Sequence, residues 1–414
     1  MSPPIDPALL ELEEELSGWR SELLCTKNGP KALLANALTA LRKAPEWNGV
    51  LAYNEFNMAS YAMRPPPWHA ANVPWKPQRW TDRDDTLTAN WLQHEGIAVT
   101  PAITATAVEA VARDRAFHPV RDYLASLQWD GRKRIENFAA ALLGAENTLY
   151  TRAVSRCMFL AAVARIRDPG CKVDHVVILE GPQGIGKSTA LNALFHPWFS
   201  DELAELGTKD ASMQMAGIWC IEIAELSAMN RSDGERVKAF ISRRTDRFRP
   251  AYGRRVIEAP RQAIIAGTTN AEAYLKDETG ARRFWPIRCS KIDLDDIRTQ
   301  RDQLWAEAVV LHESGEAWWF TDPETIAAAR EEQDARYVTD PWERPIVEYL
   351  RNREDATIED LLNHAVLVDR SRQSNADQQR VGRILKRIGW QRRRTGPRDK
   401  RRWQYFPPSS QAPK

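Results

Sequence analysis

The chain has 414 residues, enough for two or three domains, and its 28% of charged residues nearly cancel to a formal net charge of +2. Its longest apolar runs, such as 158–164, fall far short of the roughly 20 residues a membrane-spanning helix needs, and Pro and acidic residues stand where a secretory leader has a basic then apolar stretch. Five cysteines at 25, 157, 171, 220 and 289 form no C-x-x-C pair and no regular spacing, which reads as a reduced, cytoplasmic protein with structural thiols.

Residues 1–117 read as a mainly helical region. Amphipathic helices rich in Leu and Ala are expected over 9–24 and 31–41. The stretch 64–80, RPPPWHAANVPWKPQRW, has neither helical nor strand period and reads as an ordered crossing segment or linker. Thr81 and Asp84 then form a capping box at the head of a helix running through Gln93. Asp82, Asp84 and Asp85 serve there as charges on a helix N-terminus rather than as metal ligands. The seven histidines lack ligand spacing; His69 and His118 have no partner three to five residues away. No primase catalytic module is legible, so priming, where needed, falls to another protein.

The most informative stretch is 173–189, VDHVVILEGPQGIGKST. An apolar, β-branched strand runs into Gly181-x-x-x-x-Gly186-Lys187-Ser188, the phosphate-binding loop pattern, with a helix expected after it. Glycines 181, 184 and 186 let successive backbone N–H groups face a polyphosphate. Lys187 reaches the β/γ-phosphates, the Ser188 hydroxyl is suited to Mg²⁺, and the helix presents its positive end to the same anion. The loop Gly181, Pro182, Gln183, Gly184, Ile185, Gly186, Lys187, Ser188 and Thr189 is therefore expected to cradle a nucleoside triphosphate with its Mg²⁺.

Thirty-five positions beyond Lys187, the apolar run 217–226 (GIWCIEIAEL) delivers Glu222 and then Glu225, acids suited to a magnesium-bound water and to polarising an attacking water. A third apolar run, 262–267, ends in Thr268-Thr269-Asn270, and an Asn at that tip can orient the water or sense the γ-phosphate. Arg282 and Arg283 follow, just before an aromatic strand. Two roles are open to them: pairing with Asp277 or Glu278, or reaching the γ-phosphate of a neighbouring subunit as an arginine finger. Between the acidic and Asn-tipped strands, 243–255 holds six arginines broken by Phe248, Tyr252 and Gly253. That cluster suits either a DNA strand or ion pairing on an exposed hairpin.

From Ser371 to Gln404 twelve Lys/Arg face two Asp, so this tail carries +10 and the rest of the chain −8, an asymmetry that points to nucleic acid. Helices are expected around 346–350, after the capping box Thr357 to Asp360, and over 376–388, where Val381, Ile384, Leu385 and Ile388 share a face. Two basic strands around Gly396-Pro397 follow. Three helices and a basic hairpin are the parts of a winged helix, with Arg380, Arg383, Arg387, Arg393 and Arg401 as candidate DNA contacts.

The order phosphate loop, acidic strand, Asn-tipped strand, arginine pair resembles the superfamily 3 helicases, a ring-forming branch of the AAA+ ATPases. More closely, 118–320 resembles the virulence-associated protein E family through HPVRDYLASLQWDGRKRI (118–135), LEGPQGIGKST (179–189), WCIEIAEL (219–226), GTTNAEAYLKDETGARRFWPI (267–287) and LWAEAV (304–309). The resemblance implies a phage- or prophage-type replication ATPase: a DNA helicase or DNA-translocating ATPase working as a homo-oligomeric ring, a hexamer, on single-stranded DNA in its channel and duplex at its tail. A primase module often precedes such a core in related mobile-element proteins. It also implies that Arg249, Tyr252, Arg254 and Arg255 sit on a channel hairpin that tracks DNA. The sequence departs from the pattern in carrying Glu-x-x-Glu instead of adjacent acids, which leaves roles open between Glu222 and Glu225, as the finger is open between Arg282 and Arg283. The expected fold is an α/β P-loop NTPase core, AAA+-like, over 118–335, between a helical region (1–117) and a winged helix (341–414). Alternatives are an ATP-switched DNA-binding regulator that does not unwind, and a P-loop small-molecule kinase, which explains neither the Asn-tipped strand nor the basic tail.

Overall fold

The computed structural model describes residues 18–408 apart from 71, 203–208, 225–230, 250–255, 276–280, 339 and 396–401. Two compact units emerge: Met1–Glu272 with Asp277–Ala335, and Ala273–Lys276 with Arg336–Lys414. Among the described residues, no helix is long and apolar enough to cross a membrane.

The first unit begins with α1 (Leu34–Lys43), β1 (Leu51–Asn54), β2 (Ala59–Ala62), β3 (Gln78–Arg79), α2 (Asp82–His94), α3 (Pro101–Arg113) and β4 (Ala116–Phe117). The strands form a four-stranded sheet in the order β3-β2-β1-β4, in which only β1 and β4 run parallel. The sequence reading of this region foresees its helices but not this sheet. The cause is burial: β1 is covered on both faces, so it lacks the polar–apolar alternation that announces a strand. In the described part of 9–24 there is only a 3₁₀ turn, Trp19–Glu22, after which the chain goes extended. The helix at 34–43 and the capping box of α2 are as expected. The Pro- and Trp-rich stretch is an ordered crossing: Trp68 and Trp80 pack on Trp47 with centroids 5.7 and 6.2 Å apart.

The rest of the unit is built on a five-stranded sheet. In chain order it runs α4 (Pro119–Ser126), α5 (Leu149–Arg167), β5 (Val176–Glu180), α6 (Lys187–Phe195), β6 (Phe199–Ser200), β7 (Cys220–Ile223), α7 (Arg231–Ile241), β8 (Thr245–Phe248), β9 (Ile257–Pro260), β10 (Ile264–Thr269), β11 (Phe284–Arg288), α8 (Leu294–Glu313) and α9 (Pro323–Ala335). The order across the sheet is β11-β5-β10-β7-β6, parallel throughout, with β8 and β9 set aside as an antiparallel hairpin. A parallel sheet covered on both faces needs continuous apolar runs, and β5, β7 and β10 are buried along their whole length. α5 is apolar nearly all round and lies inside the core with α8 against it. Phe159, Phe195, Trp219 and Trp305 interlock there, and both indole N–H groups are satisfied, Trp219 on Ala162 O (2.9 Å) and Trp305 on Leu194 O (3.0 Å).

His175, just ahead of β5, stacks on Trp285 at 3.8 Å, and burial pushes its imidazole down to about 3. An unfolded histidine titrates near 6.5. Between those values the unfolded chain takes up a proton that the folded chain refuses. Stability present above pH 6.5 is therefore lost as pH falls, at up to about 1.4 kcal/mol per unit from this group. His175→Phe is expected to flatten that slope, as urea unfolding at pH 7 and pH 5 would measure.

The second unit holds α10 (Glu343–Leu350), a helical segment over 358–365, α11 (Asn375–Arg387), and the strands β12 (Gln391–Thr395) and β13 (Arg402–Phe406), which pair as an antiparallel hairpin. Ile346, Leu350, Leu361, Val381, Leu385, Trp390 and Tyr405 form its core. Ala356 adds one extended residue beside β13, exchanging both backbone hydrogen bonds with Tyr405 at 3.0 and 2.8 Å. These are the parts the sequence pattern foresaw, in the same order.

Candidate nucleotide site

The loop after β5 turns because its glycines permit it. A Cβ on Gly181 would stand 2.5 Å from the carbonyl oxygen of Cys289, and Gly186, at φ +96°, gives the left-handed residue that starts α6. α6 then aims its N-terminus at the loop. Lys187 is buried, and its ammonium donates to Gly181 O, Pro182 O and Asn270 Oδ1, each at 2.8 Å. Burial draws its pKa down from the usual lysine value.

Asn270 reaches Lys187 because β10 lies directly between β5 and β7. The same interposition brings in a residue the sequence reading passed over. Thr268 is buried and gives its hydroxyl proton to Glu222 Oε1, which also accepts from Ser188 Oγ at 2.7 Å. The only signal for it was its place two residues before the strand tip. Glu222 itself is 1% exposed, and its Oε2 has no partner among the described residues. A buried carboxylate oxygen without a donor is costly, and a cation or its water would satisfy it. Ser188 and Glu222 thus fit a divalent ion. Pro182, Gln183, Gly184 and Thr189 are exposed along the loop, and Ile185 is half-buried. Glu225 lies outside the described residues.

Arg282 and Arg283 sit elsewhere. They precede β11, whose first residue, Phe284, is level with Val176 at the start of β5. The phosphate loop begins five residues further along β5, roughly 17 Å away, beyond the reach of either side chain. Arg282 is exposed, whereas Arg283 donates Nε to Ser242 Oγ at 3.2 Å. Asp277 and Glu278, their possible acidic partners, fall outside the described residues.

With this geometry in hand, residues 124–338 match the virulence-associated protein E-like domain, over half of the chain. The chain belongs to the virulence-associated protein E-like family. No curated protein matches it. Solved structures similar to it include the NrS-1 C-terminal region (305–718) in an apo form, at 12% identity and TM-score 0.45, covering 86% of this chain and 95% of that one. An A form of the same region gives 11% identity, TM-score 0.42 and coverage of 86% and 96%. A third such structure gives 12%, 0.40, and 72% and 71%. The phosphate loop of this virulence-associated protein E-like chain implies a nucleotide ligand.

The candidate DNA contacts divide. A hairpin does stand between β7 and β10, and its base is pinned by Arg261, which forks onto Asp246 at 2.9 and 2.7 Å with both side chains buried. Arg249, just after β8, is exposed; Tyr252, Arg254 and Arg255 lie outside the described residues. In the tail, two candidates are turned inward. Arg380 forks onto Asp340 and lies 3.9 Å over the Trp342 ring; Arg387 pairs with Glu343 and covers Tyr337 at 3.6 Å. Their partners lie about forty residues upstream, so no local pattern could show that these guanidiniums hold the unit together. Arg383 is exposed on α11, and Arg393 is exposed on β12 between Arg392 and Arg394. Arg392 stacks over the half-exposed Trp403 at 4.1 Å. Arg401 lies outside the described residues.

Proposed function

We propose that this chain is a Mg²⁺-ATP-dependent, DNA-translocating ATPase of the helicase type, from phage or mobile-element replication, with active sites shared between subunits of a ring. One observation carries the reading: Lys187, Ser188, Glu222 and Asn270 converge at the same ends of β5, β7 and β10, while the arginine pair stands at the other end of the sheet. A finger that cannot reach its own phosphates has a role only at a neighbour's. The interposed β10 also supports an AAA+-like core, because it places a polar strand tip between the phosphate loop and the acid.

The residues divide the labour. Backbone N–H groups of 183–188 and the Lys187 ammonium would hold the phosphates; Ser188 and Glu222 would hold Mg²⁺, which supplies charge neutralisation on the phosphate oxygens. Thr268 fixes the Glu222 carboxylate from behind. Asn270, and Glu225 with it, would orient the attacking water. The hairpin over 245–260 would grip the strand being moved, and the second unit, read as a winged helix, would grip duplex through Arg383 and the basic face of β12.

The test is ATP hydrolysis with and without single-stranded DNA, and strong stimulation is the expected result. A rate indifferent to DNA would overturn the translocase. Deleting 341–414 is expected to weaken duplex binding and flatten its log–log salt dependence by several units, since each phosphate contact contributes about 0.9. An unchanged slope would mean that the tail charge does not touch DNA.

A further inference from the structure

The four-stranded sheet of residues 51–117 has two unlike faces. Leu51 and Tyr53 point into the core made with α1 and α3. On the other face the register sets Tyr61 opposite Arg79 and Asn54 beside Phe117. Along β1 that face is buried, whereas at Tyr61 and Phe117 it is only half-covered. It borders a pocket of about 370 Å³ lined by Asn54, Phe56, Asn57, Tyr61, Phe117 and Trp198, among others.

The lining is unusual in its chemistry. Tyr61 and Phe117 are half-buried and meet edge to face, 6.0 Å apart and 86° between planes. Asn57 donates Nδ2 to the Tyr61 hydroxyl at 2.6 Å, and its Oδ1 is buried without a partner among the described residues. Turning the amide round only exchanges which of its polar atoms is left over. Among the described residues no cationic side chain lines the pocket, so its lining does not suit a phosphate. Lys76 and Arg79 are exposed on either side of the lining residue Pro77, and Glu55, between the lining residues Asn54 and Phe56, is paired with Arg121 at 3.5 Å. Flat apolar walls, one unsatisfied amide group and cations outside are what an unpaired nucleobase with its flanking phosphates requires.

We propose that this sheet face binds single-stranded DNA, one base entering the pocket against Tyr61 and Phe117 with Asn57 on its edge, while Arg79 and Lys76 meet the backbone. The proposal deepens the DNA-translocase reading and rests on it. It assigns the N-terminal region a contact with the strand, separate from the hairpin and the tail.

The experiment uses the full chain and two fluorescein-labelled strands of about twenty nucleotides, oligothymidylate and its abasic counterpart, titrated by anisotropy. Tyr61→Ala and Phe117→Ala are each expected to weaken oligothymidylate binding about tenfold through the lost base stacking, and to leave the abasic strand unaffected. Arg79→Ala, at an exposed position, should lower the salt slope by about 0.7. Equal losses on both strands, or none, would overturn the base pocket while the wild type's own binding keeps the DNA reading standing. A wild type that binds neither strand overturns both. Photocrosslinking of a 5-iodouracil strand to the unaltered protein gives an arm free of folding defects: adducts within 53–61 or 116–123 support the site, and adducts confined to the hairpin or tail exclude it.

Discussion

Lys187→Ala protein is expected to hydrolyse ATP at least a thousandfold more slowly than wild type while keeping its fold. The lysine is the one side-chain cation in the loop, and phosphoryl charge spreads outward in the transition state, so its removal costs several kcal/mol there. The fold should survive, because what Lys187 leaves behind, two loop carbonyls and the exposed Asn270, can turn to water. Arg282→Ala should bind ATP as wild type does yet turn it over slowly, an arginine finger in trans being worth about three to five orders of magnitude. Arg282 is the better choice of the pair, since Arg283 is held by Ser242. Mixing the two inactive proteins should restore activity, because some interfaces then combine an intact lysine with an intact arginine. Two variants that never complement, in a protein that sediments as a monomer with ATP and DNA, would sink the shared site.

The second large effect is on stability. Asp246 faces the buried Arg261, and Arg165 lies close enough to feel its charge, being itself pushed down to about 10 by burial. Among the described residues Arg165 has only carbonyls for partners, Val173 O at 3.0 Å and Arg261 O at 3.4 Å. Asp246→Ala thus strips the anion from two buried guanidiniums at once. The expected loss is about 3–5 kcal/mol, the range for breaking one partner of a buried pair, read as a shift of the urea midpoint. Asp246→Asn keeps one acceptor and should fall between. A loss below about 1 kcal/mol would show that water reaches the pair.

What the sequence could convey follows from range. The phosphate loop is legible because its whole logic fits in eight consecutive residues, and Glu222 because its strand is one apolar run. Thr268 was hidden, since its value lies in the strand order, which puts β10 against β7 and so its hydroxyl against Glu222. The strands β1 and β2 were hidden for the opposite reason: burial on both faces erased the alternation that would have marked β1. In the tail the elements were legible from capping and periodicity, but the commitment of Arg380 and Arg387 was not, because charge alone does not say which arginines already have a carboxylate.

The bonding of Lys187 sets the terms on which a nucleotide is taken up. Its ammonium has three protons and gives all of them to oxygens of the protein. A polyphosphate therefore does not meet a waiting cation; it has to exchange one set of charge-assisted bonds for another. The heat released is the difference between the two sets, smaller than the number of contacts would suggest. Each exchange also frees the Asn270 carboxamide, which lets the tip of β10 register whether the loop is filled.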